Sequence, residues 1–145
     1  MEIKNIMTRD PACGVPEISL EEIARLMVQE DCGAIPIIND REDMTPLGIV
    51  TDRDITCRAL ANGRNPLDLK AKDVMTTTLV TLPLEATLDE CCELMEQHQI
   101  RRMIVVDDNG ACAGIVAQAD IARVAPGVDT VELVKDVSRS AFASA

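Results

Sequence analysis

Residues 48–54 read GIVTDRD, and a second version of this motif, GIVAQAD, occupies residues 114–120. Each version begins with a glycine and two β-branched residues and ends with an aspartate. The β-branched pair favours a short strand, and the polar residues that follow favour the first turn of a helix. A strand that gives way to a helix therefore occurs twice, which indicates an internal repeat.

The chain on either side of these stretches repeats in the same order. Upstream, matching residues lie 68 positions apart, whereas from the glycines onward they lie 66 apart, because one loop is shorter in the second copy. The sequence therefore predicts two units, at residues 1–66 and 67–127, followed by a C-terminal helix and tail at 128–145. The upstream pairs include Met7 with Met75, Ser19 with Thr87, Glu22 with Glu90 and Met27 with Met95.

Hydrophobic periodicity predicts a β-α-β-β-α order in each unit, and hence the α+β class. Apolar residues recur at helical spacing after Ser19 and after Thr87, and each of these residues starts the S/T-x-x-E signature of a capping box. Strands are predicted at residues 34–38, 47–50, 79–82, 103–106 and 113–116. Further helices are predicted at residues 52–61, 67–74, 118–124 and 131–137, and a frayed tail at 138–145.

Composition excludes several classes of function. The 145 residues carry 14 Lys and Arg against 25 Asp and Glu, and the net charge of −11 argues against nucleic acids and anionic membranes as partners. No secretory leader and no apolar run near the ~20 residues of a membrane span are found, so a cytoplasmic location is expected. With one histidine and no Cys-x-x-Cys pair, neither a metal site nor a catalytic set is predicted.

The six cysteines are expected to be reduced thiols, because a core of this size needs no disulfides in a reducing compartment. Cys91 and Cys92 lie on the apolar face of a predicted helix and are expected to be small core residues. Cys13 lies in a loop rich in proline and glycine, and it is expected to be the most exposed thiol.

The chemistry of residues 48–54 suits a nucleotide. Gly48 permits a close backbone approach, and Thr51 stands where free N–H groups at a helix start favour a phosphate. Asp54 can accept hydrogen bonds from the two vicinal hydroxyls of a ribose. The alternative is that Thr51 and Asp54 only cap the helix.

These motifs resemble those of the CBS domain pair, also called a Bateman module, over nearly the whole chain. The resemblance rests on Ile6-Met7-Thr8, on its counterpart at residues 74–76, on the two GIV stretches and on residues 102–107. It implies two tandem β-α-β-β-α units with pseudo-twofold symmetry. It also implies a non-enzymatic regulatory module that senses AMP, ADP, ATP, NAD or S-adenosylmethionine in the cleft between its units.

The resemblance also implies roles for residues outside the first stretch. Arg101 and Arg102 would reach the phosphates of the ligand held by Thr51 and Asp54, and Leu79 and Val80 would flank the adenine. Alternatively, the arginines only solvate a strand edge and the two apolar residues belong to the core.

The second copy predicts a weaker site. Gly114 and Asp120 keep the glycine and the ribose-binding carboxylate, but Ala117 lacks the hydroxyl that Thr51 supplies. An uncharged adenosine moiety is therefore the better candidate ligand there.

Binding is expected to act by population shift, through a homodimer and a regulated protein that the sequence does not identify. Two other interpretations stay open. One is a thiol-based redox or stress-response protein, and the other is an interaction scaffold without a ligand.

Overall fold

A computed structural model describes residues 1–124 of the chain. Among these residues, no helix combines the length and the apolar character that crossing a membrane requires. The predicted helix at 131–137 and the predicted tail at 138–145 lie outside the described residues.

Short strands alternate with helices along the described chain, in the order that the sequence predicts. The strands are β1 (Thr8–Arg9), β2 (Ala34–Ile38), β3 (Pro46–Thr51), β4 (Thr81–Pro83), β5 (Arg102–Val106) and β6 (Cys112–Ala117). The α-helices are α1 (Leu20–Glu30), α2 (Asp52–Asp54), α3 (Ala71–Val74), α4 (Leu88–His98) and α5 (Gln118–Val124). A π-helical turn (Ile55–Ala59) and a 3-10 turn (Leu60–Asn62) continue α2, and further 3-10 turns lie at Ile3–Asn5 and Pro66–Asp68.

The chain packs as two compact units, and each unit takes residues from both sequence copies. Of the described residues, the first contains Met1–Asp10, Val80–Asn109 and residues 113–124, whereas the second contains Pro11–Leu79 and Gly110–Cys112. The opening segment of each copy therefore folds with the other copy. The predicted boundary between residues 66 and 67 describes the repeat in the sequence, while the packing boundaries lie elsewhere along the chain.

The first unit is built on a four-stranded sheet in the order β1-β6-β5-β4. The opening strand β1 is antiparallel to β6, with Thr8 opposite Ile115, and β4 is parallel to β5. Helices α4 and α5 contribute apolar residues to the core of this unit. That core includes Ile3, Leu82, Met95, Met103, Val116 and Ile121.

The second unit repeats this topology in a less regular form. The hairpin β2-β3 is flanked by a parallel bridge between Gly14 and Ile37 and by an antiparallel bridge between Ile49 and Thr76. Thr76 thus pairs with β3 as Thr8 pairs with β6. The core of this unit includes Leu20, Ile23, Ile35, Ile37, Val50 and Val74.

The two predicted capping boxes differ in how completely they form. At α4, the Glu90 amide donates to Thr87 Oγ1 over 3.2 Å, and the Thr87 amide donates to Glu90 Oε2 over 3.1 Å. At α1, the Glu22 amide donates to Ser19 Oγ over 3.1 Å, and only this half of the box is present. Both helices nevertheless begin one residue after the predicted cap.

Two predicted elements are wrong in detail. The linker at 67–74 is not one helix, because the chain is extended at Leu69 and Lys70 between the turn Pro66–Asp68 and α3. The Lys70 amide donates to Asp73 Oδ2 over 2.8 Å, which starts a new helix there. The leading strand predicted at 79–82 begins at Thr81, where pairing with β5 begins.

We expect Gly48→Ala to lower the free energy of unfolding by about 1–3 kcal/mol, because a methyl group there would overpack the strand. A Cβ atom at Gly48 would lie 2.8 Å from the backbone oxygen of Thr76, so the backbone itself would have to move. Urea unfolding followed by far-UV circular dichroism measures the loss. Leu47→Val, on the same strand at a residue 39% exposed, is the control and should change stability by less than about 0.5 kcal/mol. Equal effects of the two substitutions would contradict this account of Gly48.

Candidate functional site

Thr51 and Asp54 form a reciprocal cap at the start of α2. The Asp54 amide donates to Thr51 Oγ1 over 3.1 Å, and the Thr51 amide donates to Asp54 Oδ2 over 2.9 Å. Two backbone N–H groups are thereby satisfied where β3 ends. The helix cap, which the sequence offers as an alternative role for this pair, is present in the structure.

The second copy forms half of the same cap. The Ala117 amide donates to Asp120 Oδ2 over 2.8 Å, as the Thr51 amide does to Asp54. Ala117 has no hydroxyl, so it cannot accept the hydrogen bond that Thr51 accepts. The alanine that stands where the first copy has Thr51 therefore leaves only half a cap at the start of α5.

Two arginines that the sequence analysis did not single out lie beside these aspartates. Arg58 Nε lies 3.6 Å from Asp54 Oδ1, and Arg123 Nη2 lies 3.6 Å from Asp120 Oδ1. Arg58 Nη1 also donates to the carbonyl oxygens of Val74 and Met75, each over 3.2 Å. Arg58 therefore connects the carboxylate of Asp54 to the segment that docks on β3. The i,i+4 spacing of Asp54 and Arg58 was the sequence signal that could have indicated this contact.

The space at Gly48 and at Gly114 is taken by the protein itself. Carbonyl oxygens of the opening segments lie 2.8 Å and 2.9 Å from where a Cβ atom would stand, Thr76 at Gly48 and Thr8 at Gly114. The nearest side chain at each glycine is a methionine, Met75 or Met7. The close backbone approach predicted for these glycines is thus made by an opening strand. Contact with a ligand stays a prediction for both.

The remaining predicted site residues lie on different units. Thr51, Asp54 and Leu79 belong to the second unit, whereas Val80 and the two arginines belong to the first. Arg101 is exposed and Arg102 is half-buried at the start of β5, and the carbonyl oxygen of Arg101 accepts the Gln118 amide over 2.8 Å. Leu79 and Val80 are half-buried, and Val80 packs against the core of the first unit. That all of them share one ligand stays a prediction.

Cys13 is not the most exposed thiol, although the sequence predicts it to be. Cys13 is buried, at 3% exposure, whereas Cys32 and Cys57 are the exposed thiols among the six. The loop that carries Cys13 is held inward because the Gly14 amide donates to the Pro36 carbonyl and the Ile38 amide donates to that of Gly14. Cys91 is fully buried, as predicted, and Cys92 is partly buried.

Burial dominates the pKa of one of these thiols but not that of the other. It raises the pKa of Cys91 to about 12, and the neighbouring thiol of Cys92 adds to this effect. The pKa of Cys13 is instead lowered, because a hydrogen bond from the Cys112 thiol and the charge of Arg41 outweigh the effect of burial. Within residues 1–124, no three side chains of His, Cys, Asp or Glu are grouped so as to hold a metal ion.

The fold and the paired strand-to-helix motifs define a protein built from two α+β repeats, each with an aspartate at the start of its second helix. The family model of the CBS domain matches residues 3–59 and again residues 71–127. The chain therefore belongs to the CBS domain family, as a CBS domain pair, which confirms the predicted fold class.

Curated relatives align with most of this chain. The chain is 40% identical over 120 residues to a CBS domain-containing protein of Bacillus subtilis, covering 83% of this chain and 82% of that one. It is 34% identical over 134 residues to hypoxic response protein 1 of Mycobacterium tuberculosis, covering 92% of each. It is also 33% identical to an uncharacterised protein of Methanopyrus kandleri, covering 87% of this chain but only 63% of that protein's length.

Solved structures share the fold. A crystal structure of hypoxic response protein I with two coordinated zinc ions has a TM-score of 0.74 and 33% identity, over 87% of this chain and 100% of that one. A CBS domain pair in complex with 5′-methylthioadenosine and S-adenosyl-L-methionine has a TM-score of 0.76 and 27% identity, over 86% and 94% of the two chains.

The cap predicts opposite effects of two matched substitutions. Thr51→Ala removes the hydroxyl that accepts the Asp54 amide and should cost about 1 kcal/mol of stability. Ala117→Thr supplies the missing hydroxyl beside an aspartate that already accepts the Ala117 amide, and it should stabilise by about 0.5–1 kcal/mol. Thr51→Ser is the control and should stay near wild type. Urea unfolding measures all three, and a Thr51→Ala variant of unchanged stability would show that the cap contributes nothing.

Proposed function

We propose that this chain is a non-enzymatic regulatory module that binds an adenosine-containing ligand such as AMP, ADP, ATP, NAD or S-adenosylmethionine. The observation that carries the proposal is the solved CBS domain pair, 27% identical to this chain, that holds two adenosine compounds.

The cap geometry is compatible with ligand binding at Thr51 and Asp54. A carboxylate can accept about four hydrogen bonds, and the cap uses one oxygen of Asp54 for the Thr51 amide. The side chain of Asp54 is 12% exposed, so capacity remains for the hydroxyls of a ribose. Thr51 Oγ1 accepts a hydrogen bond in the cap, and its own proton is not used there, so it can be donated to a phosphate.

The second copy supports a weaker site. Asp120 is 17% exposed and is held by the same backbone contact as Asp54, but Ala117 offers no hydroxyl to a phosphate. A missing hydrogen bond to a charged group costs about 1.5–3 kcal/mol, which corresponds to roughly 10- to 100-fold in affinity. A ligand without phosphate, such as S-adenosylmethionine, suits the Asp120 site better than ATP does.

Ligand binding would act by population shift. A ligand that fits one conformation better than another increases its population, and a partner protein that distinguishes the two conformations receives the signal. We also propose that the chain forms a homodimer and is located in the cytoplasm.

The first test is a thermal-shift panel with AMP, ADP, ATP, NAD and S-adenosylmethionine on the reduced chain. A ligand at 100 times its dissociation constant adds about 2.7 kcal/mol to the stability of the folded state, so binding raises the melting temperature. Asp54→Asn should weaken binding of the best phosphate-bearing compound about 10- to 100-fold, because the amide has one acceptor oxygen and no charge.

Asp120→Asn is the matched control, because both amide side chains can still accept the backbone N–H of the cap. Equal losses in the two variants would contradict the assignment of the stronger site to Asp54. A wild-type chain that responds to no compound would contradict ligand binding and leave the scaffold interpretation.

The arginines provide a separate test of phosphate binding. We expect Arg101→Gln and Arg102→Gln each to weaken the binding of ATP and AMP by roughly 10-fold or more, because each substitution removes a proposed charge-assisted hydrogen bond to phosphate. S-adenosylmethionine should be unaffected, since it carries no phosphate. Isothermal titration calorimetry measures the affinities, and Arg64→Gln, at another exposed arginine, is the control for net charge. Equal losses for all ligands would contradict a phosphate contact.

A further inference from the structure

Two buried cysteines from different sequence copies meet in the second unit. Cys13 follows β1, and Cys112 opens β6 at the end of the short segment Gly110–Cys112 that folds into this unit. The Cys112 amide donates to the Met44 carbonyl over 2.8 Å, which fixes its backbone. The connection between β2 and β3 brings both residues together, because Arg41 contacts the Cys13 carbonyl and Met44 the Cys112 amide, and the two cysteines are 3% and 5% exposed.

The Cys13 thiol has contacts that act in both directions: its Sγ donates to the Pro11 carbonyl oxygen over 3.2 Å, but other neighbours lower its pKa. Arg41 Nη2 donates to the Cys13 carbonyl over 2.9 Å, so a guanidinium charge is held next to this residue. The hydrogen bond from Cys112 and the charge of Arg41 lower the pKa of Cys13, although burial opposes them. Because the thiolate is the reactive form of cysteine, these contacts make Cys13 the candidate nucleophile. Cys91 is as deeply buried, but no such contacts lower its pKa.

We propose that Cys13 and Cys112 are a redox pair that a hydroperoxide oxidises to a reversible disulfide. Hydrogen peroxide is the simplest oxidant of this class, and the proposal requires the loop at residues 11–14 to open locally so that the peroxide reaches the thiol. This proposal does not depend on nucleotide binding.

The reaction proceeds in two balanced steps. The Cys13 thiolate attacks one oxygen of hydrogen peroxide, so that an S–O bond forms, the O–O bond breaks, and the second oxygen leaves as hydroxide and takes a proton to become water. The Cys112 sulfur then attacks the sulfenic sulfur of Cys13 and loses its proton. The S–S bond forms, the S–O bond breaks, and a second water leaves. Two electrons pass from the two sulfurs to the peroxide, and a dithiol reverses the change.

The chain is well suited to a direct test by mass spectrometry. Trypsin cleavage after Arg and Lys places Cys13 alone in the peptide 10–25 and Cys112 alone in the peptide 103–123. Cys32 and Cys57 fall in two other peptides, and Cys91 and Cys92 share a fifth. We would treat the reduced full chain with a small excess of hydrogen peroxide, block the remaining thiols with N-ethylmaleimide and digest it without reductant.

We expect peptide 10–25 linked to peptide 103–123, with two fewer alkylated thiols per chain and full recovery of both after treatment with dithiothreitol. Cys57→Ser, which removes an exposed thiol outside the pair, should leave this link unchanged. In Cys112→Ser and Cys112→Ala, the link should be absent, and dimedone should label Cys13 as a sulfenic acid.

Oxidation confined to Cys32 and Cys57, with Cys13 and Cys112 still alkylated, would overturn the proposal. A wild-type link between any other pair of peptides would also overturn it. Since the wild-type chain alone decides both points, the test does not depend on the folding of a variant.

Discussion

The docking of an opening segment against a glycine-bearing strand is the constraint on which the second unit depends. Thr76 and Ile49 exchange backbone hydrogen bonds of 2.9 and 3.0 Å, and the absence of a side chain at Gly48 leaves room for this segment. The same strand ends at Thr51, where the cap begins α2. Gly48 and Thr51 bound a stretch of only four residues, so a shift of the strand at Gly48 would also move the start of the helix. The pairing of Thr8 with Ile115 beside Gly114 repeats this arrangement in the first unit.

Structural and functional roles coincide at the start of the second helix of each copy. A helix that begins directly after a strand has unsatisfied N–H groups, and an aspartate three residues past the strand's last residue satisfies the N–H group of that residue. The same carboxylate retains acceptor capacity for a ligand, and Arg58 holds one of its oxygens in place. A motif that stabilises the fold by itself can thus acquire a binding role without a change of backbone. This is why the spacing of Thr51 and Asp54 could not separate the two roles.

Burial alone does not decide the pKa of a cysteine in this protein. Cys91 and Cys13 are both buried, but desolvation dominates at Cys91, whereas a neighbouring thiol and a nearby guanidinium dominate at Cys13. The thiolate is the charged form, so it is disfavoured in an apolar core and favoured beside a donor and a cation. The proposed nucleotide site and the proposed redox pair involve different residues, so they can be tested separately.

The repeat, the order of strands and helices, the fold class and the residues of the cap could all be predicted from the amino-acid sequence. These features depend on local periodicity and on contacts within a few residues, which one copy of the repeat already specifies. Only the tertiary structure decided that opening segments exchange between copies, that Cys13 is buried beside Cys112, and that Arg58 contacts the carbonyl oxygens of Val74 and Met75. Each of these depends on pairing between distant parts of the chain, and no sequence spacing specifies which distant residues will meet. For the first opening segment the repeat even favours the wrong partner, because this segment is adjacent in sequence only to the copy with which it does not pack.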